Sequence, residues 1–68
     1  VNLTFETELE VDGRWIAEVP ELPGVLAYGA TRQEALGKVE ALALRALAER
    51  IEQGEARPMP ISITIAAE

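Results

Sequence analysis

Cysteine and histidine are both absent from this 68-residue chain. Their absence excludes disulfide staples, thiolate nucleophiles and the usual zinc ligand sets. Without an imidazole there is no Ser-His-Asp or Cys-His machinery either. Basic charge is also scarce: twelve Asp and Glu face six Lys and Arg, for a formal net charge of −6. Lys38 is the single lysine and the five arginines are scattered. Nucleic-acid binding draws on Lys and Arg to displace counterions from phosphates, so no nucleic-acid contact is expected of this domain alone. An acidic surface instead suits solubility and attraction to a basic partner. No apolar run approaches the ~20 residues of a membrane span, and nothing resembles a signal peptide. A cytoplasmic protein with no membrane contact is therefore expected.

Linkers, low-complexity segments and internal repeats are missing too, so residues 1–68 are read as one domain. So short a chain buries only about 60% of the surface its unfolded form exposes, and small cores often lean on a staple, a metal or a partner subunit. The sequence opens on Val1 and not on methionine, as in a chain trimmed from a longer one. Abundant Ala, Glu and Arg beside few Lys, Asn and Gln hint at a GC-rich genome.

What is present is strongly patterned. "VNLTFETELEV" sets Leu3, Phe5, Thr7, Leu9 and Val11 against Asn2, Thr4, Glu6, Glu8 and Glu10, the period of a half-buried strand. "RWIAEV" sets Trp15, Ala17 and Val19 against Arg14, Ile16 and Glu18. Asp12-Gly13 between them invites a two-residue turn, but that register puts Trp15 opposite Glu10 on the acidic face. A three-residue loop, Val11-Asp12-Gly13 with Gly13 left-handed, pairs Glu10 with Arg14, Leu9 with Trp15, Thr7 with Ala17 and Phe5 with Val19. A one-residue slip exchanges the two faces of a whole strand, so the three-residue loop is the expectation.

"VLAYG" supplies a short third strand, and "ATRQEALGKVEALALRALAERIEQG" a helix. Thr31 and Glu34 form a capping box, each side chain expected to satisfy the other's backbone N–H. Leu36, Val39, Ala43, Leu47 and Ile51 share a stripe, and Gly54 supplies the stop. Leu42, Leu44, Ala46 and Ala48 widen the apolar arc, which admits two readings: contact with a second subunit, or alanines lining the edge of the core. Gly37 costs about 1 kcal/mol relative to alanine inside a helix. It either admits a neighbouring backbone or is a tolerated defect. "RPMPISITIAAE" ends the chain with Ile61, Ile63 and Ile65 on one strand face, and Met59 is expected as a plug at the sheet's rim.

The fold expected is α+β, strand-strand-strand-helix-strand. The sheet is mainly antiparallel, with the last strand parallel to the first and third. Right-handed crossover favours the spatial order 3-2-1-4. One long helix covers the face carrying Phe5, Leu9, Trp15, Val19, Ile61 and Ile63. Glu6, Glu8, Glu10, Arg14, Ile16 and Glu18 occupy the other. Arg14 is expected to answer Glu10 across the hairpin, Trp15 to pack in the core, and Tyr28 to present its hydroxyl to a partner.

The junction "VPELPGVLAYGATRQEA" is a turn with a mechanism. Val19 and Leu22 precede prolines and are pushed to extended backbone. Leu22-Pro23-Gly24-Val25 places proline and glycine where a type II turn wants them. The stretch also resembles the HicB-like antitoxin family, in which a Pro-x-Leu-Pro-Gly segment precedes a short strand ending in Gly and a Thr-x-x-Glu-Ala helix start. The matching positions are Pro20, Leu22, Pro23, Gly24, Gly29, Thr31, Glu34 and Ala35, and the resemblance extends over nearly the whole chain.

That resemblance implies a reduced ribonuclease H-like fold and a non-catalytic module of bacterial toxin–antitoxin systems. Such a module binds and neutralises a small basic RNA-cleaving toxin of the HicA type, and self-associates as a dimer or higher homo-oligomer. Longer members add a helix-turn-helix or ribbon-helix-helix segment. This sequence ends at Glu68 directly after the last strand, so DNA binding is not carried over. The partner-binding residues expected are Glu6, Glu8, Glu10, Glu18, Glu21 and Tyr28. No catalytic residue, cofactor or metal ligand is expected. Two-metal hydrolysis needs carboxylates converging on ions about 3.5–4 Å apart, whereas residues two apart on a strand are ~7 Å apart. The alternatives are a homo-oligomeric domain of another role, with the third strand as a free edge, and a degenerate metal-dependent nuclease using Glu6 and Glu8.

Overall fold

The computed structural model describes residues 1–54 and 60–66. Its elements are β1 (Asn2–Leu9), β2 (Trp15–Glu18), β3 (Leu26–Gly29), α1 (Arg32–Glu52) and β4 (Ser62–Ile65). The strands form one mixed sheet in the order β3-β2-β1-β4. The β1–β2 and β2–β3 pairs are antiparallel and β1–β4 is parallel, as the alternating strands and intervening helix require.

The hairpin register follows from face segregation. Leu9 pairs with Trp15 and Thr7 with Ala17. The Glu10 N–H donates to the Arg14 carbonyl at 2.7 Å, and Gly13 takes φ 88°. The Arg14 side chain, however, does not reach Glu10. Its Nε donates to Asp12 Oδ2 at 2.8 Å, and its guanidinium lies 4.4 Å from the Tyr28 ring centroid. Asp12 sits in the turn only two residues away, a shorter reach that also lets its Oδ1 accept the Arg14 N–H.

The junction makes two successive turns. Leu22 N–H donates to the Val19 carbonyl at 2.9 Å and Val25 N–H to the Leu22 carbonyl at 3.0 Å. Gly24 at φ 88° occupies the position where a type II turn needs a positive φ. Leu22 is driven into the core by this path.

α1 starts on Thr31, whose Oγ1 accepts the Glu34 N–H at 3.1 Å, a cap contributing about 1 kcal/mol. The return arm of the capping box is displaced by one residue: Glu34 Oε1 accepts the Ala30 N–H at 3.4 Å. Gly54 at φ 76° ends the helix, its N–H donating to the Ile51 carbonyl.

The helix presents Ala35, Val39, Ala43 and Leu47 to the core. There they join Leu3, Phe5, Ala17, Val19 and Leu22, with Trp15, Val25, Ala27, Leu36, Ala46 and Ile63 partly buried around them. Among the described residues α1 lies over β3, β2 and β1 but not over β4. Two expected core positions are corrected by that placement. Ile61 is 45% exposed at the far edge of the sheet. Leu9 is 56% exposed, because α1 enters level with Gly29, which faces Trp15 in β2. Leu9 shares that row, at the end of the sheet and two strands away from Gly29, while α1 lies mainly over β3. Ile51 is exposed for a related reason: a helix of 21 residues spans about 30 Å, whereas four-residue strands cover only about 13 Å. Leu42 and Leu44 are exposed on the helix flanks and Ala46 is half-buried. Met59 lies outside the described residues. No described helix is long and apolar enough to cross a membrane.

Gly37 faces open space, with no atom within 4 Å of an added Cβ, so it is a tolerated defect. Gly37→Ala is expected to stabilise the protein by about 1 kcal/mol and to raise the melting temperature by roughly 4–8 °C, read by thermal unfolding.

Candidate functional site

Strand alternation places Glu6 and Glu8 of β1 on the face away from α1, together with Ile16 and Glu18 of β2 and Leu26 and Tyr28 of β3. The register brings Glu6 directly opposite Glu18, Glu8 opposite Ile16, and Ile16 opposite Tyr28. Like charges directly opposite on neighbouring strands are destabilising, so the Glu6–Glu18 pair is held against its own repulsion. Glu6, Glu8 and Glu18 also line a shallow, open concavity of about 350 Å³ with Thr7 and Ala66.

The expected site residues thus divide. Glu6, Glu8 and Glu18 come together. Tyr28 shares their face two strands from Glu8, half-exposed beneath the Arg14 guanidinium. Glu10 lies at the hairpin end of β1, outside the concavity. Glu21 is separate and already engaged, its Oε1 accepting the Thr4 N–H at 2.9 Å. In the β1–β2 ladder Thr4 falls opposite Pro20, beyond the last strand pair, so its N–H takes a side-chain acceptor in place of a strand-partner carbonyl. The Glu21 carboxylate takes over the strand partner's role there.

Arg32 is the residue that sequence reasoning missed. Its Nε donates to Thr7 Oγ1 at 3.1 Å and its Nη2 to the Ala66 carbonyl at 2.8 Å. The guanidinium thereby ties the first helical residue to β1 and to the end of β4, beside the acidic concavity. A signal was present. A cation in the first turn of a helix opposes the macrodipole, so an arginine there points to a partner outside the helix.

Among the described residues three carboxyls are held below their ordinary values, 3.8 for Asp and 4.5 for Glu. The Arg14 N–H is the main cause at Asp12, and the Thr4 N–H at Glu21. At Glu34 the Lys38 ammonium leads, followed by the Ala30 N–H. A carboxyl whose pKa is lowered by folding contributes stability above its unfolded value and loses it as pH falls through the folded value. The melting temperature is therefore expected to fall as pH drops below about 4.5, and Glu21→Gln to flatten part of that slope. A profile identical in wild type and Glu21→Gln would show that Glu21 takes no part.

Among the described residues no group of three or more carboxylates is gathered closely enough to hold a metal ion. The chain matches no protein-family model, no curated protein and no solved structure.

Proposed function

We propose that this protein is a non-catalytic, cytoplasmic binding module of the HicB-like antitoxin type, and that its outer sheet face docks a small basic HicA-type RNA-cleaving toxin. The observation that carries the reading is the Glu6–Glu18 pair. A fold that sets two like charges opposite each other, at a cost of about 0.2–1 kcal/mol, gains from a partner that neutralises them. Glu8 and the surrounding concavity extend the anionic surface, and the net charge of −6 steers a basic protein toward it. The junction residues from Pro20 to Ala35 supply the resemblance. The reduced ribonuclease H-like frame belongs to the same reading, as do the partner roles of Glu10 and Tyr28 at the margins of the face.

The test is calorimetric titration against a basic HicA-type protein encoded beside this gene, with toxin RNA cleavage followed in parallel. Glu18→Lys is expected to leave the fold as stable as wild type or slightly more so, since it turns a repulsive pair into an attractive one. It is also expected to weaken toxin binding by at least about tenfold, roughly 1.4 kcal/mol. Undiminished binding by a folded Glu18→Lys variant would remove the outer face from the interface.

A further inference from the structure

β4 is the least covered strand of the fold. It is four residues long and, among the described strands, neighbours only β1. The pairing is parallel, the slightly weaker ladder per residue. Among the described residues α1 leaves β4 uncovered. On the helix side of the strand Ile61 and Ile65 are exposed, and Ile63 is partly buried against the core. The Ser62 N–H donates to the Val1 carbonyl at 2.8 Å and the Ala66 N–H to the Phe5 carbonyl at 2.9 Å. By the two-residue period of the ladder, Leu3 and Phe5 of β1 therefore bond across the seam to Ser62, Thr64 and Ala66. One side chain of α1 crosses the gap that the helix leaves. Arg32 Nη2 donates to the Ala66 carbonyl at 2.8 Å while its Nε donates to Thr7 Oγ1 at 3.1 Å. The guanidinium thus closes the seam at its last rung, with one arm on each side.

We propose that β4 opens as a unit from a sheet that otherwise stays folded, and that Arg32 is the latch that holds it closed. Segments with few buried apolar contacts open at free energies well below that of global unfolding. No residue of β4 belongs to the buried core, so the other three strands and α1 keep that core when β4 leaves. Opening gives up the cover of Ile63, the seam hydrogen bonds and the Arg32 bond to Ala66. The choice of residue fits a latch. A cation in the first turn opposes the helix macrodipole, so Arg32 serves the strands it bridges and not the helix that carries it. Ala66 also lines the acidic concavity with Glu6, Glu8 and Glu18, so opening removes one wall of the docking surface proposed above. A partner that needs this wall binds the closed form and draws the equilibrium toward it. That link to binding rests on the docking proposed above, whereas the opening is read on the free protein.

The proposal is tested by native-state amide hydrogen exchange of the free protein, from zero to subdenaturing urea. Leu3, Phe5, Thr64 and Ala66 are expected to share one opening with little urea dependence. Their protection is expected to be at least about tenfold lower than that of Ala17, Ala27, Val39 and Ala43. Arg32→Gln is expected to lower the protection of the first group by a further factor of roughly ten. The second group is expected to stay within about twofold of wild type. One protection level common to both groups in wild type would show that β4 opens only with the whole domain, and would overturn the proposal. So would an Arg32→Gln variant that leaves the first group unchanged, or one that lowers both groups equally.

Discussion

Gly29→Ala is expected to destabilise the protein by about 3 kcal/mol, lowering the melting temperature by more than about 10 °C. Gly29 has no positive φ, so the cause is space and not conformation. A Cβ at Gly29 would sit 2.6 Å from the Ala35 nitrogen and 3.1 Å from the Ala35 Cα. Both are backbone atoms of a helix whose first turn is anchored by Thr31, Glu34 and Arg32. A side chain can swing away from a clash, but this turn must move as a unit. Moving it disturbs the cap, and with it the Arg32 tie to β1. A domain of this size holds roughly 3–10 kcal/mol in all, so the variant is marginal at 37 °C. Thermal unfolding of Gly29→Ala beside Gly37→Ala makes the comparison internal, because the same chemical change has opposite signs at the two sites. Equal effects at both would mean that close approach to Ala35 does not govern Gly29.

Phe5→Ala is expected to cost about 3–5 kcal/mol, enough to leave a large unfolded fraction. Phe5 is 1% exposed and heads the largest fully buried side chains. It stands on β1, an inner strand of the sheet, beneath the part covered by α1. Deleting the ring leaves a cavity in the centre of the core that the neighbouring small residues Ala17, Ala43 and Ala35 cannot refill. Leu9→Ala, on the same strand face but 56% exposed, is expected to change stability by less than about 0.5 kcal/mol. Urea unfolding of the two variants measures where the core ends along β1. A Leu9→Ala loss comparable to that of Phe5→Ala would contradict the placement of α1.

That boundary marks the limit of what the sequence made legible. Strand order, hairpin register, the left-handed Gly13 and the helix cap all follow from local rules, namely alternation, turn chemistry and capping residues. How far one long helix covers a small sheet does not. It depends on where α1 enters, which is set by the close approach of Ala35 to Gly29, and on its lying toward β3, which leaves Ile61 and Leu9 outside. The candidate site divides in the same way. Alternation put Glu6, Glu8 and Glu18 on one face, but pattern alone could not show that Glu21 replaces a strand partner for Thr4. Nor could it show that Arg14 prefers Asp12 and Tyr28 to Glu10. Those outcomes are decided by which group lies within reach once the backbone is in place.

The helix face of the sheet is the core, and the acidic outer face is the binding surface proposed above. That role is tested most directly by ¹⁵N–¹H NMR of this chain during titration with a basic HicA-type toxin. Shifts are expected to concentrate at Glu6, Glu8 and Glu18 and fade toward Tyr28, with the exposed side of α1 unaffected and the changes weakened by added salt. Shifts concentrated on α1 around Leu42 and Leu44, or none at stoichiometric toxin, would contradict it.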